Sequence, residues 1–198
     1  MTTPRRPVAI VLAVLALPPL TACARSSAKE DVFEGLGLRV EGASSFQVDS
    51  SFVTPGVPDG RTVVAHEGEA IVRVAAVGGL SPAAAEARIR EQVKMLQSVF
   101  APSLPPYPEY FTKETGCPSQ YLPEAHPTQL GTYYLLYAGD RLGYGVCNAD
   151  LVRFRAGVGF FHCAARQRVL KVEYFVPAQS DPERITRFFG GLACLGAR

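Results

Sequence analysis

The sequence predicts an α+β domain, a twisted antiparallel sheet with two packed helices. Three observations carry that expectation. From Thr132 to Val176, alternating apolar and polar residues come in runs separated by turn residues, the pattern of an antiparallel meander. Between Ser81 and Phe100, apolar residues recur at helical spacing, and between Asp181 and Leu192 they do so again.

The elements follow in order. Leu36 to Glu41 reads as a short first strand and Phe46 to Val53 as a second. Pro55-Gly56-Val57-Pro58-Asp59-Gly60 is dense in turn-forming residues. Arg61 to His66 and Ala70 to Val77 form a hairpin around Glu67-Gly68-Glu69, with β-branched bulk from Ile71, Val72, Val74 and Val77. After Gly78-Gly79, Ser81 is placed to cap a helix whose first position is Pro82. Ala85, Ile89, Val93, Leu96 and Phe100 share its apolar face; Glu86, Arg90 and Lys94 lie on the solvated one.

Residues 101–131 form a Pro/Tyr-rich loop. Seven prolines bar a central strand there, although one edge strand near Tyr110 to Thr115 is allowed. Tyr107, Tyr110, Phe111 and Tyr121 are interleaved with the prolines. They read either as a partner-binding surface or as rings covering the core beneath a disulfide-pinned connection. Beyond the loop, Tyr133 to Ala138, Leu142 to Cys147, Leu151 to Ala164 and Val169 to Val176 read as successive strands. In the third of these, Val152, Phe154, Ala156, Val158 and Phe160 alternate with Arg153, Arg155, Gly157 and Gly159, which predicts one inward face. Asp181-Pro182-Glu183 opens the last helix, with Ile185, Phe188, Phe189 and Leu192 as its stripe.

The first 22 residues stand apart from this fold. Arg5 and Arg6 precede an apolar run from Val8 to Leu20, followed by Leu20-Thr21-Ala22-Cys23. A charged start, a short apolar core and small residues before a cut describe a secretory signal, and the run is too short to span a bilayer stably. Leu20-Thr21-Ala22-Cys23 resembles the bacterial lipobox. That resemblance implies a diacylglyceryl group joined to the Cys23 sulfur and cleavage that leaves Cys23 as the acylated first residue, with palmitate-type chains enough for stable anchoring. The expected organisation is a signal peptide over 1–22, a lipidated tether over 23–35 and one domain over 36–198. Pro7-Val8-Ala9 after the arginines points to general secretion rather than twin-arginine export. Ala24 after the anchor fits the outer membrane facing the periplasm in a two-membrane cell. In a single-membrane cell the chain would sit on the outer face of the plasma membrane.

Loss of Arg5 and Arg6 leaves 18 basic residues against 18 acidic ones. A neutral domain argues against a nucleic-acid partner. Four cysteines remain after the anchor, an even number in an oxidising compartment, so two disulfides are expected from three possible connectivities. A turn near Gln167 puts Cys163 at the end of its strand far from Pro177. The last helix, starting near that proline, runs back toward it. This favours Cys163–Cys194 and leaves Cys117–Cys147.

The order of strands, helix, long loop, meander and helix over 36–194 resembles the PsbP-like α/β/α sandwich, which also occurs in actinobacterial lipoproteins of the LpqN type. The resemblance is topological, and no short motif carries it. Its members share no single activity, so it implies a fold and no functional residue.

No nucleophile elbow, phosphate loop, zincin motif or calcium loop is present. His66 beside Glu67 and Glu69 is a turn cluster that reads as solvated rather than metal-binding. His126 reads as an exposed loop residue. His162 and Cys163 are adjacent in a strand and so face opposite ways, which separates them as a catalytic pair. No catalytic residue, metal or cofactor is assigned. The leading expectation is a non-catalytic envelope module that binds a protein or the cell wall. The alternatives are a binder of an apolar ligand such as a lipid or glycolipid, lined by Phe160, Phe161, Phe175, Phe188 and Phe189, and an envelope hydrolase without a recognisable motif.

Overall fold

A computed structural model describes residues 32–42, 45–99, 123–142 and 152–196. Strands β1 (Leu38–Val40), β2 (Gln47–Val53), β3 (Arg61–Glu67) and β4 (Ala70–Val77) are followed by helix α1 (Pro82–Val99). Then come β5 (Glu124–Pro127), β6 (Thr132–Ala138), β7 (Phe154–Cys163), β8 (Arg168–Pro177), helix α2 (Glu183–Gly190) and β9 (Leu192–Cys194). The protein is α+β. Its main sheet has seven strands in the order β2-β3-β4-β8-β7-β6-β5, and every pairing is antiparallel.

Alternation along the strands explains the two layers that cover this sheet. On β8, Leu170, Val172, Tyr174 and Val176 join the core that contains Ile185, Phe188 and Phe189 of α2. Phe175, on the opposite side of the same strand, packs with Phe160, Val158 and Leu96 of α1. The helices therefore sit on opposite faces, giving helix, sheet and helix in layers. Ser81 caps α1, its hydroxyl accepting from the Ala84 N–H at 3.3 Å. Ala85 and Leu96 are buried, Ile89 and Val93 half-buried, and Glu86 pairs with Arg90 on the outer side. Phe100 lies outside the described residues.

Four expectations change in the folded chain. β7 is buried on both faces, because α2 covers the side of Gly157 and Gly159 that the alternation assigns outward. Leu192 is not on the last helix: α2 stops at Gly190, and Leu192 pairs with Val40 in a two-stranded ribbon of β1 and β9. The domain starts earlier than residue 36, since Phe33 is fully buried and Glu34–Leu36 forms a 3-10 turn that leads into β1. His126 belongs to the edge strand β5, where its ring stacks on Tyr133 at 5.2 Å.

Cys163 is joined to Cys194, which ties the end of β7 to the ribbon. Arg168 donates to the Gly35 carbonyl at 2.9 Å and Arg166 to that of Gly196 at 3.2 Å, so the segments around Gly35 and Gly196 are both fastened beside the turn between β7 and β8. Cys23, Cys117 and Cys147 lie outside the described residues, as do Tyr107, Tyr110, Phe111 and Tyr121. Among the described residues no helix is long and apolar enough to cross a membrane.

Candidate functional site

The aromatic residues divide before they can form a common cleft. Phe160 and Phe175 lie on the α1 side of the sheet, while Phe161 joins Phe188 and Phe189 of α2 in the core on the other side, and all five are buried. One site with space lies at the C-terminal end of α2. There a cavity of about 380 Å³ is bounded by Glu41, Phe46, Glu67, Tyr174, Arg184 and Phe188. A volume of that size falls within the range of small-ligand sites, roughly 300–1,000 Å³.

Its floor is aromatic. Phe188 stacks on Tyr174 with centroids 4.1 Å apart, and Phe46 meets both edge-on at 6.1 and 6.2 Å. Helical periodicity brings Arg184 and Phe188, one turn apart on α2, to the same opening. Strand alternation points Tyr174 toward them from β8. Glu67, the last residue of β3, meets Arg184 in an ion pair across 117 residues of sequence. A hydrogen bond from the Ser45 hydroxyl and the Arg184 guanidinium together outweigh burial and hold the Glu67 carboxyl below the usual carboxylate range. Burial pushes the Tyr174 phenol up, so it remains a neutral hydroxyl. Arg187 also reaches the opening, but Asp181 binds it at 2.7 Å and Glu183 lies 3.8 Å from it.

Glu41 completes the rim. Its backbone N–H donates to the Gly191 carbonyl at 3.1 Å, extending the β1–β9 ribbon by one residue. The side chain then lies over the end of α2: a Cβ added to Gly191 would fall 2.8 Å from the Glu41 Cβ and 3.4 Å from its Oε2. The arrangement can accept hydrogen bonds through two carboxylates and donate through Tyr174 and Arg184.

A second charged cluster occupies the α1 face. Glu173 of β8 is 1 % exposed and pairs with Arg73, directly opposite on β4, and with Lys171 at 2.7 Å. The Arg73 guanidinium also lies 5.8 Å from the Phe175 ring centroid. The pairing with Glu173 favours the Lys171 ammonium. Burial and the neighbouring Arg73 charge oppose it and prevail, bringing the Lys171 pKa down to about 8.

The histidines are occupied in local contacts. His66 Nδ1 lies 2.7 Å from Asp49 Oδ1, while Glu67 turns to the other face to meet Arg184, so His66, Glu67 and Glu69 do not converge. Among the described residues no group of three metal-ligating side chains occurs. Cys163 is consumed in the disulfide, with His162 on the opposite face. Glu41 and Arg184 carry no local signal, and Glu67 is legible in the sequence only as a neighbour of His66, because the nearness of these three depends on tertiary contact. Lys171 and Glu173 did leave a trace, as two charges on one side of a strand otherwise rich in apolar residues.

No known protein family matches the chain, and no curated protein matches it. A crystal structure from Bacteroides thetaiotaomicron VPI-5482 is similar over 81% of this chain, with 10% sequence identity and a TM-score of 0.40. The chain spans about half of that protein's length, 46%.

Proposed function

We propose that this chain is an exported lipoprotein, anchored by lipid on Cys23, whose domain is a non-catalytic module that binds a polar component of the cell wall. The observation that carries the binding role is the cavity at the end of α2. Its rings give an apolar floor, while Glu41, Glu67 and Arg184 supply hydrogen-bonding groups of both kinds. Such a mixed lining suits a hydroxyl-rich or zwitterionic ligand better than a lipid tail, which would leave these charges desolvated and unpaired. The lipobox-like Leu20-Thr21-Ala22-Cys23 supports the anchoring.

Two measurements test the reading. Wild-type chain should partition with membranes and incorporate labelled palmitate, and Cys23→Ser should do neither. The full chain should also sediment with purified cell-wall sacculi, and Phe188→Ala with Arg184→Ala should reduce that sedimentation. Equal sedimentation of the double variant would remove the cavity from the function.

A further inference from the structure

We infer that the cavity at the end of α2 selects ligands that carry a primary ammonium group, with Glu41 as the carboxylate that receives it. The inference rests on the cavity being the binding site proposed above and deepens that reading by naming the ligand's charge.

The argument is a comparison of which charges in the cavity are already committed. Arg184 is held by Glu67, and Arg187 by Asp181 and Glu183. Each guanidinium is already charge-balanced by at least one carboxylate, so an anionic ligand gains less from it than it would from an unpaired cation. Glu67 is committed in the same way, through Ser45 and Arg184. Glu41 differs. Among the described residues its carboxylate has no hydrogen-bond or ion-pair partner, and its place is fixed by the backbone bond to Gly191.

The surrounding field adds to the preference. Glu41 stands at the C-terminal end of α2, where the helix dipole is negative and favours a cation. The rings of Phe46, Tyr174 and Phe188 form the floor beneath, an apolar surface that brings no positive charge against an ammonium-bearing ligand. The Tyr174 hydroxyl remains for the ligand's other polar groups. An amine bound between Glu41 and the helix end would thus gain a charge-assisted hydrogen bond that no group now makes.

Glucosamine and N-acetylglucosamine are matched probes, differing in whether the nitrogen carries charge. Isothermal titration calorimetry would use the full chain as its producing cell delivers it, solubilised in detergent, at slightly acidic pH. Glucosamine should bind with millimolar affinity, and N-acetylglucosamine should bind at least about tenfold more weakly, the value of one charge-assisted hydrogen bond. Glu41→Gln, an exposed and nearly isosteric change, should erase the difference, and Glu41→Asp should retain part of it. Equal binding of both probes, or unchanged preference in Glu41→Gln, would overturn the ammonium selectivity while leaving the cavity as a wall-binding site. Binding of neither probe would overturn the selectivity too. Sedimentation with sacculi then decides separately whether the binding function stands.

Discussion

Gly157 and Phe189 meet with no space for a single further carbon: a Cβ built on Gly157 would lie 2.3 Å from Cε2 of Phe189 and 2.6 Å from Cγ2 of Ile185. Gly159 is equally restricted, its added carbon falling 2.3 Å from Cζ of Phe161. These two glycines let α2 settle on β7. Gly157→Ala should therefore cost about 1–3 kcal/mol, the range for overpacking a dense core. Chemical denaturation compared with Gly190→Ala, whose added carbon meets nothing within 4 Å, would show whether the loss comes from this contact.

The Cys163–Cys194 bridge closes a segment with a separation of 31 residues. Restricting the unfolded chain over that length contributes about 3–4 kcal/mol on the loop-entropy account. Replacing both cysteines by alanine should lower the guanidinium midpoint accordingly, with the largest loosening in the β1–β9 ribbon. Hydrogen exchange at Leu38 to Val40 would detect it, and unaltered exchange there would show that the ribbon holds without the bridge.

Glu173 keeps Arg73 and Lys171 together on one sheet face. Neutralising it removes the carboxylate that both cations share in a half-buried setting. Glu173→Gln should destabilise the protein by about 3 kcal/mol, since breaking a buried pair costs more than the pair contributes. Combining it with Lys171→Met should recover part of that loss, which a double-mutant cycle would measure.

Lys171 also gives a pH signature. Its folded-state pKa is lowered to about 8, below that of an unfolded lysine. Below that value both states hold the proton, and the buried ammonium reduces stability. As pH rises from about 8 toward 10 the folded protein releases the proton first, so this penalty fades. Wild type should gain stability over that interval relative to Lys171→Met, and parallel pH profiles would refute the assignment.

The Tyr133 hydroxyl donates to Thr186 Oγ1 at 3.1 Å, and its ring stacks on Phe189 at 4.3 Å. Tyr133→Phe keeps the stack and removes the bond. A loss of about 1 kcal/mol is expected, and Tyr133→Ala should cost several times more through the cavity it creates.

The sequence by itself determined the α+β class, the β3–β4 hairpin, α1 with its Ser81 cap and the long strands β7 and β8. Each rests on information within a short window: side-chain periodicity, a capping hydroxyl, or a glycine or proline that ends an element. It also carries the lipobox-like Leu20-Thr21-Ala22-Cys23 run on which the proposed anchoring rests, a resemblance legible within four residues. Only the tertiary structure decided that Leu192 leaves the helix to pair with Val40, that Phe33 belongs to the core, and that β7 is covered on both faces. Those outcomes depend on which distant segment arrives as a neighbour. The cavity is the extreme case. Glu41, Glu67 and Arg184 are ordinary surface residues in their own windows and become a site when the sheet and α2 bring them to one opening. No local pattern encodes that meeting, because it results from the packing of the whole chain.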